Sequence, residues 1–345
     1  MAVQGARGLR PRLARLRLLR LPLQLAVSVG LLVALWHVSG GRALAERLAR
    51  CDPAWAAAAL PFATASLVAG ALRWRYTARR LGQRLGVRRA VREFYLACFL
   101  SQVLPGGVSG DVVRVWRQSR RSLRRATGAE VAPDSELPEV VPTSQRAGAG
   151  VGSALRAVVI ERVASQLVMT LSVLGSMALW PWVPGAYAAM RVWGPIAGAL
   201  GLTGLLLAAL ALFARRRERG RAAAGGVERF LADARRALWS RQGLPAQLGL
   251  GLLVVGNCLA MFYCAARAVN APLSVFPLLA LVPPALFAMS VPISIGGWGL
   301  REASAVALWA MAGLPETEAM ASSVLYGALT LLSTLPGALV LATEP

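Results

Sequence analysis

The chain has 345 residues, a formal net charge of +22, 56% hydrophobic residues and only 16% charged ones. Together with a mean hydropathy of +0.55, this composition excludes an ordinary soluble domain. The arginines stand between long apolar runs instead of along one soluble face, which argues against binding to nucleic acid. The single histidine, His37, excludes zinc–histidine sites and Ser-His-Asp triads, so we predict no metal and no cofactor.

The cysteines do not suggest a reactive or metal-binding site either. They form no CxxC pair, and three of the four lie in apolar stretches. This placement is typical of small core residues rather than of disulfides or ligands. Because no set of catalytic residues is visible, an enzyme is the less favoured class of protein.

Long apolar runs dominate the rest of the chain. About 20 consecutive apolar residues are needed to cross the hydrocarbon core of a bilayer. Runs of this kind lie near residues 21–40, 54–72, 157–180, 192–213, 244–266, 274–291 and 319–342. Two further runs, 94–110 and 303–314, are shorter. Over residues 21–342 we therefore predict an all-α, polytopic integral membrane domain, with about 7–8 transmembrane helices and one or two re-entrant segments broken by Pro and Gly.

The distribution of arginine predicts the orientation, because cytoplasmic loops collect positive charge. Residues 1–20 contain six arginines and no acid, which predicts a basic N-terminus in the cytoplasm. The loop 41–53 has three arginines against two acids, as expected outside, whereas residues 73–93 carry eight arginines and one glutamate. A signal peptide cleaved after Ala45 is an alternative, but the first run is long for one and an uncleaved span is favoured.

Residues 94–110 break this alternation. The basic loop 73–93 precedes them, and six arginines between Arg114 and Arg125 follow them, so both ends favour the same side. A full span would place one of these arginine clusters outside. A re-entrant hairpin that turns at Pro105 and the two glycines after it satisfies both, so we favour re-entry from the cytoplasm over a short full span.

Two polar stretches interrupt the apolar runs. Residues 126–150 are rich in Ala, Gly, Pro and acids and lack apolar periodicity, which predicts a disordered cytoplasmic insertion. Residues 214–241 form a basic loop, within which 227–239 carry apolar residues at helical spacing. This pattern predicts an amphipathic helix on the lipid interface, and a connector packed on neighbouring spans fits it nearly as well.

Two short segments share a pattern that breaks a buried helix. Residues 104–114 read LPGGVSGDVVR and residues 291–301 read VPISIGGWGLR. In each, a proline is followed by a glycine-rich turn, with an arginine nine positions after the proline. Free backbone groups beside a fixed positive charge are tolerated at membrane depth only where they face protein or water. The pair is typical of a transporter site between two repeats.

Acids and arginines stand next to one another in and after these segments, and their pairing permits two interpretations. The acids either neutralise the arginines within a bundle, or they hold arginines that bind an anionic headgroup. The candidate substrate-binding residues are Pro105, Gly106, Gly107, Gly110, Asp111, Arg114, Glu161, Arg162, Pro292, Ser294, Gly296, Gly297, Arg301 and Glu302. The two segments form inverted halves of one pathway if they enter from opposite sides, and a one-sided headgroup site if both are cytoplasmic.

The same residues resemble the signatures of the lysylphosphatidylglycerol synthase transmembrane-region family. Residues 104–114 are similar to its "LP…GGD..R" pattern, Glu161 and Arg162 to its "ER" step, and residues 292–302 to its "P.S.GG.G.RE" pattern. The three occur in the family's order, and the resemblance covers roughly residues 20–342.

The resemblance implies a flippase-like, multi-pass protein of a bacterial or archaeal plasma membrane with about eight helices. In aminoacyl-lipid synthases of this family, a soluble acetyltransferase-like domain follows the membrane region. This chain ends at Pro345, shortly after its last apolar run, so we expect no lipid aminoacylation by this chain alone.

We therefore expect a protein that translocates or holds an anionic phospholipid or a lipid-linked phosphate. With no GxxxxGK[ST] loop, active transport would need an ion gradient or another protein. One alternative is a membrane transferase that uses Asp111 or Glu161 as a base. Another is a non-catalytic membrane partner of a separate glycosyl or aminoacyl transferase.

Overall fold

In a computed structural model, the regular secondary structure of the described residues is helical, which confirms the all-α prediction for that part of the chain. The structure describes residues 29–30, 32–34, 36–37, 41–83, 85–104, 109–126, 151–183, 226–271, 273–290 and 294–343. The helices with defined bounds are α1 (Gly41–Ala49), α2 (Pro53–Arg80), α3 (Val87–Val103), α4 (Ser109–Ala126), α5 (Val151–Met177), α6 (Gly226–Leu238), α7 (Gly243–Ala268), α8 (Val275–Ala288), α9 (Leu300–Met311), α10 (Glu316–Thr334) and α11 (Pro336–Thr343).

Four of the described segments are long and apolar enough to cross a membrane. They are Pro53–Arg80, Gly152–Trp182, Gly243–Ala268 and Glu316–Thr343. These segments confirm four of the predicted runs, whereas the run 274–291 forms the shorter apolar helix α8. The predicted regions 1–20 and 192–213, and nearly all of 126–150, lie outside the described residues, as does much of 21–40. The total number of transmembrane helices therefore stays a prediction.

Local sequence signals explain where these helices begin and how they tolerate proline. The Asp52 carboxylate accepts a hydrogen bond from the amide of Ala54 at 2.8 Å, and Pro53 occupies the first helical position of α2. In α8, Pro284 has no N–H to donate to the carbonyl of Ala280 four residues earlier. The Trp180 indole donates to that carbonyl at 2.9 Å, so the buried acceptor keeps a partner.

The antiparallel helices α2 and α7 define two faces of the molecule. At one end, the Gln247 amide donates to the Thr77 hydroxyl at 2.8 Å. At the other end, the backbone amide of Asp52 donates to the carbonyl of Ala268 at 2.8 Å. We call the first end the basic face and the second the opposite face. The basic face carries arginines of α2, α3, α4 and α6, namely Arg79, Arg80, Arg88, Arg89, Arg92, Arg117, Arg120, Arg235 and Arg236.

Helices α3 and α4 form the first hairpin, which starts and ends at the basic face. Near that face, Arg117 pairs with Glu93 at 3.0 Å. Toward the tip, the Ser109 hydroxyl donates to the carbonyl of Leu100 at 3.2 Å. Gly110 lies against the carbonyl of Ala97, where a Cβ atom would collide, so the two helices approach closely. This is the hairpin geometry that the predicted re-entrant segment requires.

Helices α8 and α9 form a second hairpin, which starts from the opposite face. Its second helix leads into α10, where Glu318 pairs with Arg47 at 3.1 Å. Arg47 also donates to the carbonyl of Val269 at the end of α7, at 3.5 Å. Both ends of this hairpin therefore lie at the opposite face. The two similar segments therefore enter from opposite faces.

The amphipathic segment near residues 227–239 forms α6. Its Phe230, Ala237 and Leu238 pack with Ile160 and Ala164 of α5. The apolar face is thus covered by a neighbouring long helix, as the connector interpretation predicts.

A single large apolar core joins α7 through α10. Within it, the ring of Phe262 lies 6.1 Å from that of Trp309 and 5.6 Å from that of Tyr326. The same Tyr326 ring contacts the guanidinium of Arg301. The core therefore encloses one of the predicted site residues.

Candidate functional site

Four of the predicted site residues meet in one group at the junction of three helices. Asp111 and Arg114 lie in the first turns of α4, and Glu161 and Arg162 lie in the middle of α5. Arg73, near the end of α2, completes the group. We call these five residues the open cluster.

The open cluster is a row of alternating charges that begins and ends with arginine. Glu161 accepts from Arg73 Nη2 at 3.0 Å through one oxygen and from Arg114 Nη2 at 3.2 Å through the other. Asp111 accepts from Arg114 Nη2 at 2.8 Å and from Arg162 Nε at 2.5 Å. Each of the four carboxylate oxygens therefore accepts from an arginine, and one positive charge is in excess.

Helix geometry explains why only one end of this row is open. Neighbouring residues on an α-helix point about 100° apart, so Glu161 and Arg162 face different directions. The Arg162 side chain is 54% exposed, whereas those of the other four members are 11% exposed or less. The excess charge is thus accessible at Arg162.

Aromatic rings and unpaired donors surround the buried arginines. The Arg114 guanidinium lies 4.6 Å from the ring centroid of Trp74 and 5.5 Å from that of Phe94. Among the described residues, the Nε atoms of Arg73 and Arg114 and the indole nitrogen of Trp74 are buried without an acceptor. Buried N–H groups usually donate to an acceptor, so these three donors require acceptors that the described residues do not supply.

Arg301 and Glu302 form a second group, enclosed in the core, that we call the sealed cluster together with Ser323. The Glu302 carboxylate accepts from the Arg301 guanidinium and, at 3.2 Å, from the Ser323 hydroxyl. Arg301 Nε donates to the Ser323 oxygen at 3.0 Å. The side chains of Arg301 and Glu302 are 1% and 0% exposed, and their charges cancel.

Glycines shape the turn that holds the sealed cluster. Gly296, Gly297 and Gly299 have φ values of 57°, 81° and 88°, which side chains with a Cβ atom rarely adopt. The amide of Gly299 donates to Glu302 at 2.7 Å and fixes the start of α9. Gly327 of α10 faces Arg301, and a Cβ atom there would collide with its guanidinium.

The second glycine-rich segment approaches the end of α3, which precedes the first segment in sequence. A Cβ atom on Gly296, in the second tip, would lie 2.5 Å from the side-chain oxygen of Gln102 near the end of α3. Close by, Gln166 of α5 donates to the hydroxyl of Ser290 after α8, at 3.4 Å. The turn of the hairpin from the opposite face therefore contacts the end of α3 in the hairpin from the basic face.

Most of the predicted site residues that the structure describes lie in the open cluster, in the sealed cluster or in the glycine-rich turn before α9. Ser294 is buried beside Gly296 and Gly297, and its hydroxyl has no partner among the described residues. Gly110 serves the close approach of α3 and α4. Pro105, Gly106, Gly107 and Pro292 lie outside the described residues. In the described ranges no three His, Cys, Asp or Glu side chains form a metal-binding group, and the expectation of no metal stays a prediction.

Sequence reasoning missed Arg73 and Ser323. Arg73 is one of the eight arginines in residues 73–93, but it directly follows an apolar run and belongs to a long helix. That position next to the apolar run was the available signal. Ser323 lies in an apolar stretch between small residues and has no sequence signal of its own.

Comparison with known proteins agrees with the resemblance of the motifs. No curated protein sequence matches the chain. The family model described as the lysylphosphatidylglycerol synthase TM region matches residues 22–337, nearly the whole chain. With four described segments able to span a membrane, the chain is a multi-pass membrane protein. It belongs to the lysylphosphatidylglycerol synthase transmembrane-region family.

Proposed function

We propose that the protein binds an anionic phospholipid or a lipid-linked phosphate by its headgroup and moves it between the leaflets of the plasma membrane. The observation that carries this proposal is the open cluster, where an excess arginine charge is exposed on α5, one helical turn from the contact of Gln166 with the second hairpin. Arginine suits this role because its planar fork donates two parallel hydrogen bonds to phosphate oxygens.

The depth of Arg162 supports a ligand-binding role. Arg162 lies eleven residues after Val151, which is about 16 Å along a helix that rises 1.5 Å per residue. An arginine facing lipid near the centre of a span costs about 2.5–3.5 kcal/mol on insertion scales. An exposed arginine at this depth is therefore best accounted for by a water-filled recess or by a lipid headgroup.

The opposed hairpins support movement rather than binding alone. Broken helices from two halves of a chain, entering from opposite faces, are the arrangement that transporters place around a substrate site. Polar side chains lie near the turn of the second hairpin: Gln166, one helical turn after Arg162 on α5, donates to Ser290, and Gln102 lies against Gly296. In our proposal a headgroup held at Arg162 passes this region when one hairpin shifts.

The proposed orientation follows from the two faces. Cytoplasmic loops collect arginine, so the basic face is assigned to the cytoplasm and the N-terminus with it. Arg162 is nearer to the basic end of α5 than to the other end. The open cluster would therefore accept a lipid from the cytoplasmic leaflet.

The test is reconstitution of the protein in liposomes that contain a fluorescent anionic phospholipid. Movement between leaflets is followed by the loss of fluorescence on adding an impermeant quencher. The informative variant is Arg162→Gln, because this side chain is exposed and its loss leaves the buried ion pairs intact. The matched control is Arg156→Gln on the same helix, which removes an ion pair with Asp233 outside the open cluster.

We expect the wild type and Arg156→Gln to move the lipid at similar rates. We expect Arg162→Gln to be at least about tenfold slower, a factor that corresponds to about 1.4 kcal/mol. Equal rates for the wild type and Arg162→Gln, or no movement above empty liposomes, would overturn the proposal.

The family's description favours a second candidate function. It names the membrane region of a synthase, so the second candidate is a non-catalytic membrane partner of a transferase on a separate chain. Affinity purification from native membranes tests this candidate. Stoichiometric recovery of a transferase, with no lipid movement by the purified protein, would support the partner function in place of transport.

A further inference from the structure

We infer that the corner between α6 and α7 is a docking surface for anionic phospholipids of the leaflet at the basic face, which bind there without being transported. The surface consists of exposed residues around the turn from α6 into α7, and we call it the corner patch: Arg235, Arg236, Trp239, Arg241 and Leu244. The inference goes beyond the proposed function, because none of these residues belongs to the open cluster or to the sealed cluster.

The arginines of the corner patch have no acid beside them to neutralise their charge. Residues 234–250 contain three arginines and no aspartate or glutamate. Asp233, which precedes them in α6, pairs with Arg156 of α5 at 2.7 Å. All three arginines are exposed, and within the described ranges none of them forms an ion pair. The corner patch therefore presents three positive charges at the surface of the protein.

Helix geometry directs the end of α6 that carries the patch away from the helices beneath it. Ala237 and Leu238 pack with Ile160 of α5. Successive residues of an α-helix point about 100° apart, so Arg235 and Arg236 lie on the side of α6 opposite to this contact. The amide of Trp239 donates to the carbonyl of Arg235 at 3.0 Å, which continues the helical turn and places Trp239 on the same outer side.

Two large apolar side chains are exposed among these arginines. Trp239 and Leu244 are each 46% exposed. Tryptophan is enriched where the acyl chains of a bilayer meet water, and its ring combines an apolar body with a polar N–H group. Exposed apolar residues with a rim of positive charge are typical of a surface that enters the interface of an anionic membrane.

The position of the patch on α7 indicates that it faces lipid. Four exposed residues form one row along this helix, namely Pro245, Gly249, Leu252 and Gly256. A Cβ atom on Gly249 or Gly256 would meet no atom of the described chain within 4 Å. Because α7 is long and apolar enough to cross a membrane, this row faces acyl chains. The corner patch lies at the end of the row, at the depth of the headgroups.

The turn that carries the patch is held in place by contacts of its own. The amide of Gly243 donates to the Ser240 hydroxyl at 2.9 Å. A Cβ atom on Gly243 would lie 2.7 Å from the carbonyl oxygen of Ala237, so the end of α6 and the start of α7 approach closely. Arg80 of α2 donates to the side chain of Gln242 at 3.0 Å. Little conformational entropy is therefore lost when a partner binds to the patch.

Anionic phospholipid is the partner that matches both parts of the patch. Guanidinium groups donate paired hydrogen bonds to phosphate oxygens, and basic residues close to a membrane surface are attracted to anionic lipid. A zwitterionic lipid would satisfy Trp239 and Leu244 but would leave the three charges without counterions. An acidic soluble protein would satisfy the charges but would not reach the lipid-facing row below them.

The test maps contact between the patch and lipids of different charge. The full chain is placed in phosphatidylcholine nanodiscs with a trace of a photoreactive lipid, which is either phosphatidylglycerol or phosphatidylcholine with the same labelled acyl chain. After illumination, mass spectrometry measures the label on peptides that cover residues 235–244. We expect phosphatidylglycerol to label them at least about fivefold more than phosphatidylcholine, the factor expected for one arginine near an anionic surface.

Two double variants with the same change of charge separate the patch from the rest of the basic face. Arg235→Gln/Arg236→Gln should bring labelling by phosphatidylglycerol close to that by phosphatidylcholine. The control is Arg79→Gln/Arg88→Gln, which removes two other exposed arginines of the same face and should keep the wild-type ratio. A further variant, Trp239→Ala, should lower labelling by both lipids and keep phosphatidylglycerol ahead.

Equal labelling of the wild type by the two lipids would overturn the inference, as would an undiminished preference in Arg235→Gln/Arg236→Gln. Absence of label from residues 235–244 with either lipid would show that something other than lipid covers the patch, and would also overturn it. The proposed function fails separately. We expect Arg162→Gln to keep the labelling ratio, and Arg235→Gln/Arg236→Gln to move lipid in liposomes at about the wild-type rate.

Discussion

The two clusters begin from similar sequence segments and reach different chemical states. Each places an arginine between aromatic rings, Trp74 and Phe94 around Arg114 and Trp298 and Tyr326 around Arg301. The open cluster has three arginines against two acids and is exposed at one end. The sealed cluster has one arginine and one acid and is enclosed.

This difference shows how the same ion-pair chemistry can serve either stability or binding. A buried pair whose charges cancel needs no ligand, and a hydroxyl and a backbone amide satisfy its remaining atoms. In a row of three arginines and two acids, the charges cannot cancel one another completely. The accessible end of such a row is where an ion from outside completes the balance. The following predictions test this distinction, beginning with the largest effect.

Removing the arginine of the sealed cluster should have the largest effect on stability. Arg301→Leu leaves Glu302 charged and buried, so we expect the free energy of unfolding to fall by about 3–5 kcal/mol. Replacing both residues, as in Arg301→Met/Glu302→Leu, should recover most of this loss because apolar side chains often substitute for a buried pair. Chemical denaturation in detergent measures both changes. A double variant as unstable as the single one would contradict the view that Arg301 and Glu302 neutralise each other without a partner outside the sealed cluster.

The analogous double replacement in the open cluster should not recover. Arg114→Met/Glu161→Leu removes one pair but leaves Arg73 without its carboxylate and Asp111 with one arginine fewer. We expect this variant to stay at least about 2 kcal/mol less stable than the wild type. Full recovery here would show that the row is a set of independent pairs.

Filling the space beside Arg301 should have an intermediate effect. Gly327→Ala places a methyl group against the guanidinium and the Trp298 ring, so we expect a loss of about 1–3 kcal/mol by overpacking. The control is Gly175→Ala in α5, where no neighbouring atom lies within 4 Å. This control should be neutral or slightly stabilising, because alanine suits a helix better than glycine. Equal losses for both variants would argue against a specific fit at Gly327.

Accessibility to water should separate the clusters directly. In a chain whose native cysteines have been replaced, Arg162→Cys should react with a membrane-impermeant thiol reagent at least about tenfold faster than Ser323→Cys, since reactivity requires an exposed thiolate. The reason is that Arg162 is exposed and Ser323 is fully buried. Labelling rates measured by mass spectrometry give the comparison. Similar rates would remove the basis for calling one cluster open.

The smallest effect on stability is expected at the exposed end of the row. Arg162→Gln breaks a partly exposed ion pair while Asp111 keeps Arg114, so the loss should be below about 1 kcal/mol. Unfolding of Arg156→Gln provides the matched value for another partly exposed pair. A loss as large as that of Arg301→Leu would mean that Arg162 holds the fold together.

Much of this architecture was accessible from the sequence, for physical reasons. Spans such as 54–72 and 244–266 were predictable because the bilayer sets a length of apolar residues. The hairpin at 94–110 was predictable because arginine at both ends disfavours crossing. Buried charges need partners, so the charged residues that follow each glycine-rich segment could be predicted to lie in ion-pair clusters.

Other features depend on three-dimensional packing and have no local signal. Arg73 pairs with Glu161 across 88 positions of sequence, and the rotation of two long helices decides that contact. The separation of Arg114 from Arg301 could not be foreseen from two similar motifs. The face from which the second hairpin enters was open, because its ends carry few charges. Gly327 has the sequence context of an ordinary helix residue, and only its contact with Arg301 distinguishes it.

The contact between Gly296 and Gln102 has an electrical consequence. With a water-filled recess reaching the open cluster, as proposed, the insulating layer between the two sides would narrow to the thickness of the hairpin tips. The membrane voltage would then fall mainly across that thin layer. A charge moved past the tips would experience most of about 2.3 kcal/mol per 100 mV, although it travels only a few ångströms. On this proposal, the lack of a side chain at Gly296 would determine where in the protein the membrane's electric field is concentrated.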